Sequence, residues 1–124
     1  MRALVVYESM YGNTHVIASN IADGLRADCE VTLVPVAEAT WDLVAGNGLA
    51  AAFDTRLNGV PAFTGRASRP IARLLRRHGC RLVAAPESFL IGSQTTLLDG
   101  EAERARRWGM TLGAVSKTYL PAPA

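Results

Sequence analysis

Residues 3–15 read Ala-Leu-Val-Val-Tyr-Glu-Ser-Met-Tyr-Gly-Asn-Thr-His, and they restrict the chain to few folds. Ala3–Tyr7 is a continuous apolar run with no polar face, the pattern of a parallel strand covered on both sides. It breaks at Glu8 into a polar turn containing Gly12 and Asn13. Ile17, Ile21 and Leu25 then recur at every fourth residue, one face of a helix running from about Asn13 to Ala27. A strand that enters a helix through such a turn aims several backbone N–H groups at one point. The helix N-terminus there carries about half a positive charge, so an anion is the expected guest.

The rest of the chain alternates in the same way. Glu30–Val36 reads as a second strand, placed at a sheet edge by Pro35, which cannot donate to a ladder. Residues 37–48 form the next connection, with a short helix over Ala37–Ala45 stopped at Gly46-Asn47-Gly48. Leu49–Phe53 is a small apolar strand ending at Asp54-Thr55-Arg56, followed by an irregular stretch from Arg56 to Ala67. Ser68 caps a helix with Pro70 in its first turn, and Ile71, Leu74, Leu75 and His78 mark one buried stripe before Gly79 closes it. Leu82–Ala85 begins a fourth strand, resumed over Phe89–Ile91 after Pro86-Glu87. Asp99 caps the last helix, whose apolar face is Ala102, Ala105, Trp108 and Leu112 and whose end is Gly113. Strands alternating with amphipathic helices imply right-handed crossovers: an α/β sandwich of one parallel sheet with helices on both faces.

With 124 residues the chain is read as a single domain over 1–124. Apolar residues make up 49% and charged residues 19%, a balance that excludes disorder. No apolar run approaches the roughly 20 residues of a membrane span, and the N-terminal run is too short for a secretory leader. A cytoplasmic protein is therefore expected, with Cys29 and Cys80 as plain thiols and no metal site. The net charge is +2, yet twelve of the thirteen basic residues are arginine and six lie between Arg66 and Arg81. That cluster reads as a solvated helix face or as a docking patch for an acidic partner. Nucleic acid is not expected, since no aromatics interleave with the arginines.

The residues after the first strand discriminate among anion-binding loops. A P-loop needs G-x-x-x-x-G-K-[ST], and there is no Lys before Lys117. A dinucleotide loop needs three glycines where Gly12 stands alone, and Glu8 by itself will not hold Mg²⁺. A phosphatase loop needs a cysteine that residues 8–15 lack. What remains is a pocket of hydroxyls and amides: Ser9, Tyr11, Asn13, Thr14 and the backbone from Met10 to His15. Such a pocket suits a phosphate monoester.

Tyr7-Glu8-Ser9-Met10-Tyr11-Gly12-Asn13-Thr14 resembles the strand and S/T-x-S/T-G-x-T phosphate loop of the flavodoxin family, with Tyr11 in place of the second hydroxy residue. The resemblance implies a flavodoxin-like three-layer fold whose loop grips the phosphate of FMN. Ser9 and Thr14 would act as hydroxyl donors, and Met10, Tyr11, Gly12 and Asn13 would give amides. Ala50–Arg56 resembles the strand that runs into the flavin-flanking loop, which adds Phe53, Asp54, Thr55 and Arg56 to the cofactor-binding residues. The sequence departs from the family in one respect. The usual third strand and the flavin-covering loop are missing, the shortening falling between Val36 and Trp41. Either the strand at 49–53 moves beside the first, giving four strands in the order 2-1-3-4, or the central slot stays unfilled. Three functions are compatible: an electron-transfer flavoprotein with FMN and a redox partner protein, a flavin-dependent oxidoreductase of NAD(P)H with a quinone or a porphyrinogen, and a cofactor-free binding or regulatory domain. No side chain stands out as catalytic.

Overall fold

The computed structural model describes residues 2–7, 13–38, 49–57, 68–77, 79–92 and 96–119. The opening apolar run is β1 (Arg2–Tyr7), followed by α1 (Asn13–Leu25) and β2 (Glu30–Pro35). β1 and β2 pair in parallel from Arg2 opposite Glu30 to Tyr7 opposite Pro35 and with α1 make a β-α-β unit, a connection that is right-handed in nearly all proteins. A 3₁₀ turn follows at Val36–Glu38, so the last residue expected in the second strand already belongs to it. The rest of the short helix expected over Ala37–Ala45 lies outside the described residues.

The third and fourth strands are each interrupted. β3 (Leu49–Ala50) and β4 (Phe53–Leu57) form the third, and β5 (Arg81–Leu82) and β6 (Glu87–Ile91) the fourth. Leu49 pairs with Arg81 but Phe53 with Glu87, so two extra residues are taken up in the segment Val83-Ala84-Ala85-Pro86. Hydrogen bonds from Val83 N–H to Ala50 C=O (2.9 Å) and from Glu87 N–H to Ala52 C=O (3.0 Å) bracket this bulge. Pro86, which has no N–H, sits where no ladder bond is required. The third strand therefore does not stop at Phe53: Phe53, Asp54, Thr55 and Arg56 are ladder residues of β4 rather than a loop emerging from it.

Both expected ladders, 2-1 and 3-4, are present and parallel; among the described residues no ladder joins β1 to β3 or β4. α1 bridges the two pairs, lying on β1 and β2 and reaching β4. The core follows from the periodicity of α1. Ile17, Ala18, Ile21, Ala22 and Leu25 are buried together with Val5, Phe89, Ala105 and Leu112.

α3 (Glu101–Lys117) covers the same face and crosses α1 at close range. A Cβ on Gly24 would lie 2.0 Å from the Arg106 carbonyl oxygen, and one on Gly109 2.2 Å from that of Ile21. Here the absence of side chains allows two helix backbones to touch. Gly113 has the same use: it is buried against Asp28, and the helix expected to end there runs on to Lys117, which pairs with Asp28. At the other end, Gly100 rather than Asp99 holds the N-cap, at φ 85° and without a side-chain cap. Glu101 and Glu103 in the first turn complement the helix dipole instead.

Side chains alternate along β4. Phe53 and Thr55 face α1 and α3, while Asp54 faces the opposite side, where α2 (Ser68–Arg77) begins. The fold thus has helices on both faces of its strands. Among the described residues the second face is thin, with Ala52, Ala72 and Cys80 buried outside the main core. The stripe expected to bury α2 does not bury it. Ile71 and Leu74 are each 44% exposed, Leu75 is half-buried, and the helix is seated through Ser68 and Ala72. His78 lies outside the described residues. Gly79 ends the helix as expected, at φ 86°.

β6 has β4 on one side, and its other edge is closed by side chains and by the backbone of residues 97–98. Leu90 N–H donates to Glu101 Oε2 (2.7 Å) and Leu98 N–H to Leu90 C=O (3.2 Å). Arg104 Nη2 donates to Ser88 C=O (2.6 Å), and Ser88 N–H to Glu87 Oε1 (3.3 Å). Every edge group of these two residues is satisfied, so no further strand can add there. The Arg104 guanidinium, 4.3 Å above the Phe89 ring, also binds Glu87 and Glu101. No described helix is long and apolar enough to cross a membrane.

Candidate anion site at the first strand–helix junction

Tyr7 ends β1 and Asn13 begins α1, so the expected anion seat lies at this junction. Ser9, Met10, Tyr11 and Gly12, proposed from sequence as its loop, lie outside the described residues; Asn13 and Thr14 are the first two residues of α1. No acidic side chain occupies the first turn of this helix. Its N-terminal N–H groups and partial positive charge are thus not neutralised from within the turn, in contrast to the two glutamates that open α3.

Thr14 is tied to the third strand. Its Oγ1 lies 2.8 Å from Thr55 Oγ1, a half-buried hydrogen bond between residues 41 apart. Two hydroxyls own two protons, and their mutual bond uses one. Whichever is the donor, the other keeps a proton for a third group, so the pair can present one O–H to an anion. Tyr7 and His15 stack across the same junction, with ring centroids 4.9 Å apart and planes tilted by 46°. His15 is exposed, as its position past the turn suggests, but its contact with Tyr7 could not be read from sequence.

Of the four residues taken from the third strand, only Thr55 reaches Thr14. Phe53 is turned into the core, where it meets Phe89 (6.3 Å) and Trp108 (6.4 Å) edge to face. Asp54, 7% exposed, accepts the Ser68 backbone N–H through Oδ2 (2.9 Å) and so closes the N-terminus of α2. Its Oδ1 and the Arg56 Nε are buried without a hydrogen-bond partner among the described residues. The period of two along a strand explains the split, and that signal was available in the sequence once 53–57 was read as strand rather than loop.

No family model matches the sequence, and no curated protein matches it. Solved structures do. A flavodoxin from the domain Archaea superposes with a TM-score of 0.72 at 19% identity, over 94% of this chain and 99% of that one. Oxidised flavodoxin 2 from Bacillus cereus gives 0.73 at 18% identity, over 97% of this chain and all of the other. For oxidised flavodoxin 1 of the same organism the values are 0.71 and 17%, over 98% and 100%. The chain has the flavodoxin-like α/β fold that its opening strand–turn–helix implied.

Proposed function

We propose that this chain, acting as one domain over residues 1–124, binds FMN at the β1–α1 junction and serves in cytoplasmic electron transfer. The observation that carries this reading is the Thr14–Thr55 hydrogen bond at an acid-free helix N-terminus. The donors suit the phosphate end of the cofactor: hydroxyls and helix N–H groups, with no carboxylate among the first-turn residues. Ser9 and Thr14 would give hydroxyl donors and Met10, Tyr11, Gly12 and Asn13 amides, with Thr55 donating to Thr14 Oγ1 so that the Thr14 proton is left for the phosphate. FMN, when bound, supplies the one- and two-electron chemistry, and the protein supplies its seat and local charge. The partner is then a redox protein or a small quinone-like acceptor.

The test is a titration of the apoprotein with FMN, followed by quenching of flavin fluorescence and by the shift of its visible spectrum. One FMN is expected per chain, with riboflavin bound far more weakly because it lacks the phosphate. Thr14→Val, which removes one hydrogen bond to a charged group, should weaken FMN about tenfold or more and leave riboflavin unchanged. Unquenched fluorescence at high micromolar protein would end this reading, as would equal affinity for the two flavins.

A further inference from the structure

α2 is the least integrated helix of the described structure. It buries Ser68 and Ala72, half-buries Leu75, and turns its other side chains to solvent. Around the helix axis these exposed residues fall into two adjoining strips. Arg69, Arg73, Arg76 and Arg77 form one, and Pro70, Ile71 and Leu74 the other. Ile71 and Leu74 are two of the five exposed large hydrophobics among the described residues, each at 44%.

The charge is equally one-sided. α2 carries four arginines and no acid, against +2 for the whole chain, so the remainder is net −2. None of these four guanidiniums enters an ion pair or hydrogen bond among the described residues. On α3, by contrast, Arg104, Arg106 and Arg107 are all paired with glutamates. Four uncompensated like charges along one short helix repel each other, and the fold retains them beside two uncovered aliphatic side chains.

We propose that the exposed face of α2 is the docking surface for a protein partner with an acidic patch around an apolar centre. Arginine is the basic residue suited to this, since its planar fork pairs two-point with carboxylates and loses less hydration than lysine. Ile71 and Leu74 supply the desolvated centre that protein interfaces need, and the arginines supply the rim. A lipid surface calls for a larger apolar face with aromatic anchors, and α2 has no aromatic residue. Single-stranded nucleic acid calls for aromatic stacking, and duplex binding gives no role to two exposed aliphatics. β4 links this surface to the candidate site across the sheet: Ser68 is bonded to Asp54 on one face, and its neighbour Thr55 is bonded to Thr14 on the other. The proposal does not depend on the flavin reading, since the docking assay needs no FMN.

The probe is a fluorescein-labelled helical peptide with glutamates flanking a leucine stripe, titrated with the full chain at low ionic strength and read by anisotropy. Saturable binding is expected, weakening steeply with added salt. The double variant Arg73→Glu/Arg76→Glu should bind about tenfold more weakly or worse, and Ile71→Ser/Leu74→Ser several-fold more weakly. The control Arg26→Glu/Arg107→Glu, equal in charge change but away from α2, should stay within about twofold. The proposal is overturned by absent binding, by equal losses in the control, or by α2 variants that bind like wild type. Tighter binding to phosphatidylglycerol vesicles or to a DNA duplex overturns it too, as does self-association abolished by the α2 variants while peptide binding is kept. Should the Ile71/Leu74 variant fail to fold, the arginine reversal decides alone, because its side chains are exposed and enter no hydrogen bond or ion pair among the described residues.

Discussion

Gly24→Ala tests the contact on which the helical layer rests. The added Cβ would lie 2.0 Å from the Arg106 carbonyl oxygen and 2.7 Å from the Met110 amide nitrogen. An ordinary contact between such atoms is about 3.5 Å, and both neighbours are backbone, so no rotamer change relieves the clash. α1 and α3 must part by more than an ångström. That loosens Ile17, Ile21 and Leu25 from Ala105 and Leu112, all buried in one cluster. Overpacking costs about 1–3 kcal/mol in general, and this case exceeds it because a whole helix pair has to move. Alanine's better helix propensity returns about 1 kcal/mol. A net loss of about 2–3 kcal/mol remains, out of the roughly 5–15 kcal/mol that a domain possesses. At about 4 °C per kcal/mol the midpoint should fall by about 8–12 °C. Far-UV circular dichroism during heating and urea titration measures both quantities. Gly113→Ala is the internal control: the nearest atom to its Cβ is Asp28 Oδ2 at 3.1 Å, a side-chain end that can swing aside, so the cost should stay below about 1 kcal/mol. If Gly24→Ala melted at or above wild type, the close backbone crossing would be wrong.

Glu101 predicts an acid sensitivity. Its hydrogen bonds from Arg104, and that from the Leu90 N–H, hold its carboxyl below the usual carboxylate range. With the folded value below the unfolded one, its contribution is complete above the unfolded pKa and is lost as pH falls through the folded value. Stability measured by urea titration should therefore decline on acidification below about pH 4.5, and Glu101→Gln should flatten that decline. Asp54→Ala should cost about 1–2 kcal/mol by releasing the Ser68 N–H. Amide hydrogen exchange should then quicken across α2 more than across α1, and uniform quickening would count against Asp54 as the anchor of that helix.

What the sequence by itself determined are properties carried within one element. Tyr7 ends a strand and Asn13 opens a helix because an apolar run gives way there to residues that favour turns and helix starts. Ile17, Ile21 and Leu25 are all buried because their spacing keeps them on one side of whatever covers α1. Gly79, at positive φ, ends α2 for a reason equally local. The tertiary structure decided what those elements meet. The sequence pattern marks Ile71 and Leu74 as an apolar stripe. Yet the Asp54 carboxylate seizes the Ser68 N–H and Ala72 fits the thin second face, so α2 is rotated to leave that stripe in solvent. Gly113 resembles a helix end until Asp28 is found lying against it. The pairing of Thr14 with Thr55 spans 41 residues and arises only when α1 and β4 come together. Periodicity fixes which side chains share a face. Which face is covered depends on contacts between distant segments, whose energies no single window of sequence contains.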